Sequence, residues 1–340
     1  MKRYIRLVGV TVGLVASCVY AGAYQEYGGI EWNYFTVDDE FAVIGVNEGP
    51  AVKQDVSGAI STPTELGGLP VTRIGVYAFR DCTNITSLFV SEGVSDIRHS
   101  AFYNCTSLEE LWLPTTLRGL ASSAFYGCEN LRSLRVPNGT QILNDSLFIG
   151  CRSLAEITLP STLEIVSRND LSDTIVWKDH LRGGAVILNG CAIDVDGGAE
   201  SIVLGSECKC LAYDLFHESA HSSRLKDLIV LCEKPKILAP TNVDIAKELF
   251  SDTGDKVTIF VPKDSPTWRD QIQDGKWLNQ NVVEVALGDD GLLAVYDEAI
   301  PGYQGTIPRC ASVVSLRRFL RKAECGQTSL QKSCLLPQSL

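Results

Sequence analysis

The chain has 340 residues, of which 45% are hydrophobic and 21% are charged, a composition that excludes a wholly disordered protein. Its 30 basic and 41 acidic residues give a formal net charge of −11, which disfavours a general attraction to nucleic acid or to anionic membranes. The length allows one large domain or two ordinary ones.

Residues 1–23 have the pattern of an export signal. A basic head at Lys2–Arg6 precedes an uncharged stretch of 13 residues, Leu7–Val19, and small residues end the segment at Ala23. This stretch is too short to span a bilayer, so we expect cleavage after Ala23. Lipidation at Cys18 is the alternative, because Val15–Cys18 resembles a bacterial lipobox. Either route predicts a secreted or cell-surface protein of a bacterium.

Residues 24–57 are expected to form an N-terminal strand cap. Two strand-like runs, Glu31–Val37 and Phe41–Val46, flank Asp38–Glu40, and this order predicts a β-hairpin. Such a cap would cover the apolar side of the first coil in the array of repeats that follows it in the chain.

A period of 23 residues follows. Phenylalanine recurs at this spacing, and three residues after each one stands a cysteine: Phe79 and Cys82, Phe102 and Cys105, Phe125 and Cys128, Phe148 and Cys151. Apolar positions with the spacing of a short strand come next, as in Leu108, Leu111 and Leu113. A single coil cannot bury its own apolar face, so we expect stacked copies to form a solenoid.

The repeat resembles the BspA-type leucine-rich repeats of bacterial surface proteins, and Ile74–Cys82 fits the family pattern almost position for position. We predict an α/β-class, right-handed leucine-rich-repeat solenoid with 23-residue repeats, one short parallel strand per coil and irregular caps. The solenoid is expected over residues 58–263, regular at 71–170 and degraded at 171–263, where Gly183–Gly190 forms a hairpin or a distorted coil. The resemblance implies adhesion or protein contact, without catalysis or a cofactor.

The C-terminal end is assigned to two segments. Residues 264–287, with Trp268 and Trp277, are expected to form the second cap, and residues 288–340 a partly disordered tail. A short basic helix over Ala311–Lys322 is the alternative for part of the tail.

The repeat cysteines are predicted to be small buried groups. Equivalent side chains on neighbouring coils run parallel, whereas a disulfide needs two Cβ vectors that turn toward each other. A bridge from Cys208 or Cys210 to Cys232 stays open. So does the pairing of three later cysteines, Cys310, Cys325 and Cys334.

One short segment matches a zinc-binding sequence motif. His217, Glu218 and His221 match H-E-x-x-H, in which the histidines bind zinc and the glutamate acts as base. The metzincin continuation requires glycine and histidine where this chain has Arg224 and Asp227, and a gluzincin-type third ligand could only be Glu248 or a similar residue of the next coil. We therefore predict no metal and no catalytic residue, and a zinc-binding hydrolase is the alternative function.

The middle residue of each predicted strand points outward. These residues are Phe89, Trp112, Arg135, Thr158, Val203, Ile229 and Phe260. Aromatic and arginine side chains anchor many protein interfaces, and the alternative is that these outward side chains pack on one another or under the caps. We predict that Phe89, Trp112 and Arg135, with Glu110 and Glu156 beside them, form one face that binds a protein or cell-surface ligand, while a purely architectural envelope component is the other alternative.

Overall fold

The computed structural model of the chain describes residues 22–45, 50–217, 224–250, 257–263, 265–287 and 293–294. The backbone forms a β-solenoid of about nine coils that repeat roughly every 23 residues and contain little helix. The predicted leucine-rich-repeat solenoid is confirmed. Turns rather than helices return the chain from one strand to the next, so the α component of the predicted class is small.

An antiparallel meander precedes the coils. It consists of β1 (Ala23–Tyr27), β2 (Ile30–Val37) and β3 (Phe41–Ile44). The predicted hairpin forms between β2 and β3, where Asp38 and Asp39 have φ values of 51° and 55°. Tight hairpin turns require this left-handed conformation, which Asp tolerates better than most residues. Trp32 is fully buried and packs edge-on against Phe79 of the first regular coil.

The regular coils contribute short strands to two parallel ladders. The strands are β4 (Gly58–Ser61), β5 (Glu65–Leu66), β6 (Leu69–Ile74), β7 (Ile85–Phe89), β8 (Asp96–Ile97), β9 (Glu110–Trp112), β10 (Gly119–Leu120), β11 (Ser133–Arg135), β12 (Ile142–Leu143), β13 (Glu156–Thr158) and β14 (Ile165–Val166). In the first ladder β4, β7 and β9 pair in parallel, as do β11 and β13, and β9 packs beside β11. In the second ladder β3, β6, β8, β10, β12 and β14 pair in parallel, while β5 lies outside both ladders and pairs antiparallel with β6.

The phenylalanines form a continuous stack through the core. Phe79, Phe102, Phe125 and Phe148 are all buried, with successive ring centroids 5.2, 5.7 and 6.2 Å apart and ring planes within 14° of parallel. Backbone bonds follow the same column, since the Phe79 amide donates to the Ala101 carbonyl at 2.7 Å. The turn that carries each phenylalanine therefore joins neighbouring coils through both side chains and backbone.

The repeat cysteines are free and buried, as predicted. Three of the four thiols donate to the carbonyl of the phenylalanine one coil earlier, with Sγ–O distances of 3.0 Å for Cys105, 3.2 Å for Cys128 and 3.1 Å for Cys151. Burial raises the pKa of Cys82 and of Cys151 to about 12, so these thiols keep their protons at neutral pH. Cysteine is thus used here as a small apolar residue with one weak donor.

The irregular region contains one short helix and two hairpin turns. Its elements are α1 (Ile175–His180), β15 (Leu181–Arg182), β16 (Ala185–Leu188) and β17 (Cys191–Val195). The three strands are antiparallel, and β17 then starts a new parallel ladder. Thr174 caps α1 by accepting a bond from the Trp177 amide at 3.1 Å. The hairpin predicted over Gly183–Gly190 is present as β16 and its two turns.

The later coils continue the parallel arrangement. Their elements are β18 (Ser201–Leu204), β19 (Cys210–Ala212), β20 (Asp227–Val230), β21 (Lys236–Leu238), α2 (Ile245–Phe250), β22 (Thr258–Pro262), α3 (Pro266–Arg269), β23 (Lys276–Trp277), β24 (Gln280–Leu287) and β25 (Leu293–Ala294). Strands β18, β20, β22 and β24 pair in parallel, and β17, β19 and β21 form the second ladder of these coils. The parallel sheet therefore continues into the segment expected to form the C-terminal cap.

Candidate functional site

The first ladder carries two exposed aromatic side chains on neighbouring strands. Phe89 ends β7, Trp112 ends β9, and the two are direct partners in the parallel register. Their side chains are 49% and 47% exposed, and their ring centroids are 6.5 Å apart. The strand alternation explains this exposure, because Leu88 and Leu111 point into the core and the next residue must point outward.

Charged residues surround this pair. Arg135 ends β11 one repeat further on, and it is exposed. Glu110 and Glu156 begin β9 and β13, are exposed, and have Ser87 and Ser133 as their register partners. The Ser87 hydroxyl donates to Glu110 at 3.5 Å. We call Phe89, Glu110, Trp112, Arg135 and Glu156 the candidate binding face.

The later outward positions differ from the sequence expectation. Val203 and Ile229 are direct register partners and were predicted to point outward, yet they are only 7% and 5% exposed. With Val283 and Val285 they form a second apolar cluster, separate from the main core, against which Phe260 packs. These β-branched side chains pack on one another across the sheet, so the outward positions described in the later coils do not extend the exposed surface of Phe89 and Trp112.

Another aromatic column lies on the turn edge. The rings of Tyr103 and Tyr126 stack with centroids 4.8 Å apart, and the Arg80 guanidinium lies 5.5 Å from the Tyr103 centroid and 5.1 Å from that of Tyr77. Tyr103 and Tyr126 therefore contact each other through their ring faces, and Arg80 lies over the rings of Tyr77 and Tyr103. This column therefore stabilises the turns, and it presents fewer open ring faces than Phe89 and Trp112 do.

The candidate zinc residues fall mainly outside the described residues. His217 is half-buried, and its Nδ1 lies 3.7 Å from a carboxylate oxygen of Glu248 on α2. Glu218 and His221 lie outside the described residues, as does Cys18, the alternative lipidation site. Among the described residues, no group of three His, Cys, Asp or Glu side chains is arranged to hold a metal ion.

Of the six cysteines whose pairing the sequence leaves open, Cys208, Cys210 and Cys232 are free thiols, and Cys310, Cys325 and Cys334 lie outside the described residues. Cys208 and Cys232 are buried, and interaction with the Cys232 thiol is the largest cause of the raised pKa of Cys208, followed by burial. Cys210 is half-buried and donates to the Gly190 carbonyl at 3.6 Å, and the thiol of Cys191, its register partner on β17, is the largest cause of its lowered pKa. The structure thus pairs Cys208 with Cys232 by contact but not by a disulfide.

Residues 69–176 match the BspA type leucine rich repeat region in 6 copies. The match covers about a third of the chain and agrees with the resemblance to BspA-type repeats that the sequence pattern indicates. The BspA-type repeats include the whole run from β6 to β14, and hence every residue of the candidate binding face. The comparison with curated proteins gives no significant match.

Solved structures similar to this chain are bacterial leucine-rich repeat proteins. The T. pallidum protein TpLRR is 20% identical, with a TM-score of 0.42, over 66% of this chain and 94% of its own. A leucine-rich repeat protein from Bacteroides capillosus is 25% identical, with a TM-score of 0.33, over 39% of this chain and 96% of its own. A leucine rich cell surface protein from Faecalibacterium prausnitzii is 14% identical, with a TM-score of 0.33, over 70% and 82% respectively.

The described helices are short. Both α1 and α2 have six residues, and no helix in the described ranges has the length and hydropathy needed to cross a membrane.

Proposed function

We propose that this protein is an exported, non-catalytic binding protein that recognises a protein ligand at the bacterial cell surface through its candidate binding face. The observation that carries the proposal is the pair of exposed aromatic side chains, Phe89 and Trp112, on neighbouring strands of a rigid ladder. Large exposed apolar groups that lie side by side mark interaction sites more often than isolated ones do.

The surroundings of the pair suit a protein partner. Trp112 offers a large contact area with few rotatable bonds, and Arg135 donates hydrogen bonds in a planar fork. Glu110 and Glu156 add negative charge at the rim, where charge determines partner choice and association rate more than affinity. The net charge of −11 argues against nucleic acid as the partner.

Export is supported by the residue pattern of positions 1–23, and the cell surface by the usual setting of BspA-type repeats. A parallel sheet built from stacked coils is suited to recognition, because binding needs little reordering of its surface. The zinc-binding hydrolase stays the alternative function, because Glu218 and His221 lie outside the described residues and His217 lies 3.7 Å from Glu248.

A pull-down from envelope and extracellular proteins tests the proposal. Wild type, Trp112→Ala and Tyr27→Ala are immobilised separately, and the captured proteins are identified by mass spectrometry. Tyr27 is a matched control, because it is 44% exposed and lies on β1, outside the candidate binding face. We expect a protein that is captured by wild type and by Tyr27→Ala and is lost from Trp112→Ala. Equal capture by all three would contradict the assigned face.

A further inference from the structure

A cleft of about 830 Å³ lies near the C-terminal end of the solenoid, between β21 and the turn that carries β23. Its polar lining consists of Lys234, Lys236, Gln271, Gln273, Asp274, Lys276 and Asn279. Trp277 and Ile237 supply part of the apolar wall. The volume lies within the range of small-ligand sites.

The wall behind this cleft is rigidly packed. Trp277 is buried and packs edge-on against Trp268, with ring centroids 5.0 Å apart, and against Phe250 at 6.3 Å. Strand β21 is the last strand of its sheet among the described strands, so one of its edges faces no strand partner. Lys236 begins β21 and Lys276 begins β23. Because each of these strands pairs with a neighbouring strand, the two lysines are held on fixed elements of the fold.

The charges of the cleft are unbalanced. Lys234, Lys236 and Lys276 supply three ammonium groups, whereas Asp274 is the one carboxylate among the described lining residues. In the described part of the chain none of these three lysines forms an ion pair with a carboxylate. By contrast Lys53, Lys226 and Lys247 each do.

Lys234 is the most enclosed of the three. Its Nζ donates to the neutral side-chain oxygen of Gln271 at 2.7 Å, which leaves two further N–H donors for other acceptors. Partial burial lowers the pKa of Lys234, as expected for a cation that is short of anionic partners.

We propose that this lysine cleft binds a small ligand with two or more carboxylate or phosphate groups. Three ammonium groups complement several anionic oxygens, while Gln273 and Asn279 can donate or accept bonds at the uncharged parts of the ligand. The chain as a whole repels anions, since its net charge is −11, so binding depends on this local concentration of positive charge.

Isothermal titration calorimetry of the intact chain tests the proposal with two probes, citrate for carboxylates and tripolyphosphate for phosphates. The titrations are run at roughly physiological salt, where screening suppresses long-range attraction. We expect one saturable site per chain for at least one probe, with a Kd below about 1 mM. The stronger probe identifies the oxyanion class. No saturable heat from either probe would overturn the proposal.

Three variants locate the site. Lys236→Gln combined with Lys276→Gln is expected to weaken binding by about tenfold or more, because two charge-assisted contacts are lost. Asp274→Asn is expected to strengthen binding about two- to fivefold, because a repulsive carboxylate is removed. Lys178→Gln, at an exposed lysine on α1, is the control and should leave binding unchanged.

Unliganded melting temperatures check that the variants fold. If the double variant is unfolded, Lys276→Gln alone carries the comparison, since Lys276 is exposed. Wild-type affinity in the lysine variants, or equal weakening in Lys178→Gln, would overturn the assignment to the cleft.

Discussion

Asp194 is a fully buried carboxylate in the irregular region. One of its oxygens accepts bonds from the Arg168 guanidinium and the Val195 amide, both at 2.9 Å, and the other accepts from the Leu171 amide at 2.8 Å. Despite these donors, burial raises its pKa from 3.8 to about 6. The cost of desolvating the charge outweighs the attraction of Arg168, as is common for buried ion pairs.

The raised pKa sets the sign of a pH dependence. Between about pH 4 and 6 the folded chain holds a proton on Asp194 that the unfolded chain has released, so this group's contribution to stability falls as pH rises. Asn does not titrate, so the cost of Asp194→Asn should be about 2 kcal/mol smaller at pH 7 than at pH 4.5. Urea unfolding of both proteins at each pH measures this difference. A cost that grows toward pH 7 would show that the Arg168 ion pair dominates.

Phe102 tests the register of the repeat. It is 1% exposed and stacked between Phe79 and Phe125, so Phe102→Ala leaves a cavity that the rigid coils cannot close. We expect a loss of about 3–5 kcal/mol in the free energy of unfolding, measured from denaturant midpoints. Tyr103→Ala, at the next residue, is the control and should cost less because its side chain is half-buried on the turn edge. A similar small cost for both would contradict the stack.

At the scale of the element, each turn that carries a repeat phenylalanine contains two residues in the left-handed conformation. One lies two residues before the phenylalanine and the other two residues after it: Tyr77 and Asp81, Ser100 and Asn104, Ser123 and Gly127, Ser146 and Gly150. The second position holds Asp, Asn or Gly in every case, which are the residues that tolerate this conformation best. The turn geometry therefore recurs with the same period as the core.

Gly127→Ala tests this requirement. Gly127 has a φ of 72°, and an added Cβ would lie 3.4 Å from the Asn104 Cα. We expect a loss of about 1–2 kcal/mol in unfolding free energy, because the left-handed conformation is unfavourable for alanine. Gly119→Ala is the matched control, since Gly119 lies in β10 without a positive φ and its Cβ would have ordinary contacts from 3.6 Å. Equal effects in both variants would contradict the conformational explanation.

The sequence predicts the first ladder but not the second. The apolar spacing of Leu108, Leu111 and Leu113 marks a strand, and β9 forms there. In the second ladder β8, β10, β12 and β14 have only two residues each and a single buried side chain, such as Leu120, so they have no alternation to detect. Their pairing depends on the stacking of coils 23 residues apart, which local patterns do not contain.

At the scale of the whole molecule, the sequence predicts on which side of a strand a side chain lies, but not whether other residues bury it. Strand alternation identifies Trp112 and Ile229 alike as outward, but Trp112 is exposed and Ile229 is buried in the second apolar cluster. The lysine cleft was also missed, because Lys234 and Lys236 are about 40 residues from Lys276 in sequence. Both the burial of an outward side chain and the clustering of lysines that are distant in sequence result from tertiary packing.

The affinity of the captured partner for Trp112→Ala is the most direct test of the central claim, that the candidate binding face recognises a protein. Calorimetry with that purified partner should show a loss of about 2 kcal/mol, roughly 30-fold in Kd, because truncation of a central aromatic anchor removes much of the buried area. The unfolding midpoint should change little, since the side chain points outward. Tyr27→Ala should bind as wild type does. Unchanged affinity in Trp112→Ala, or an equal loss in Tyr27→Ala, would contradict the account.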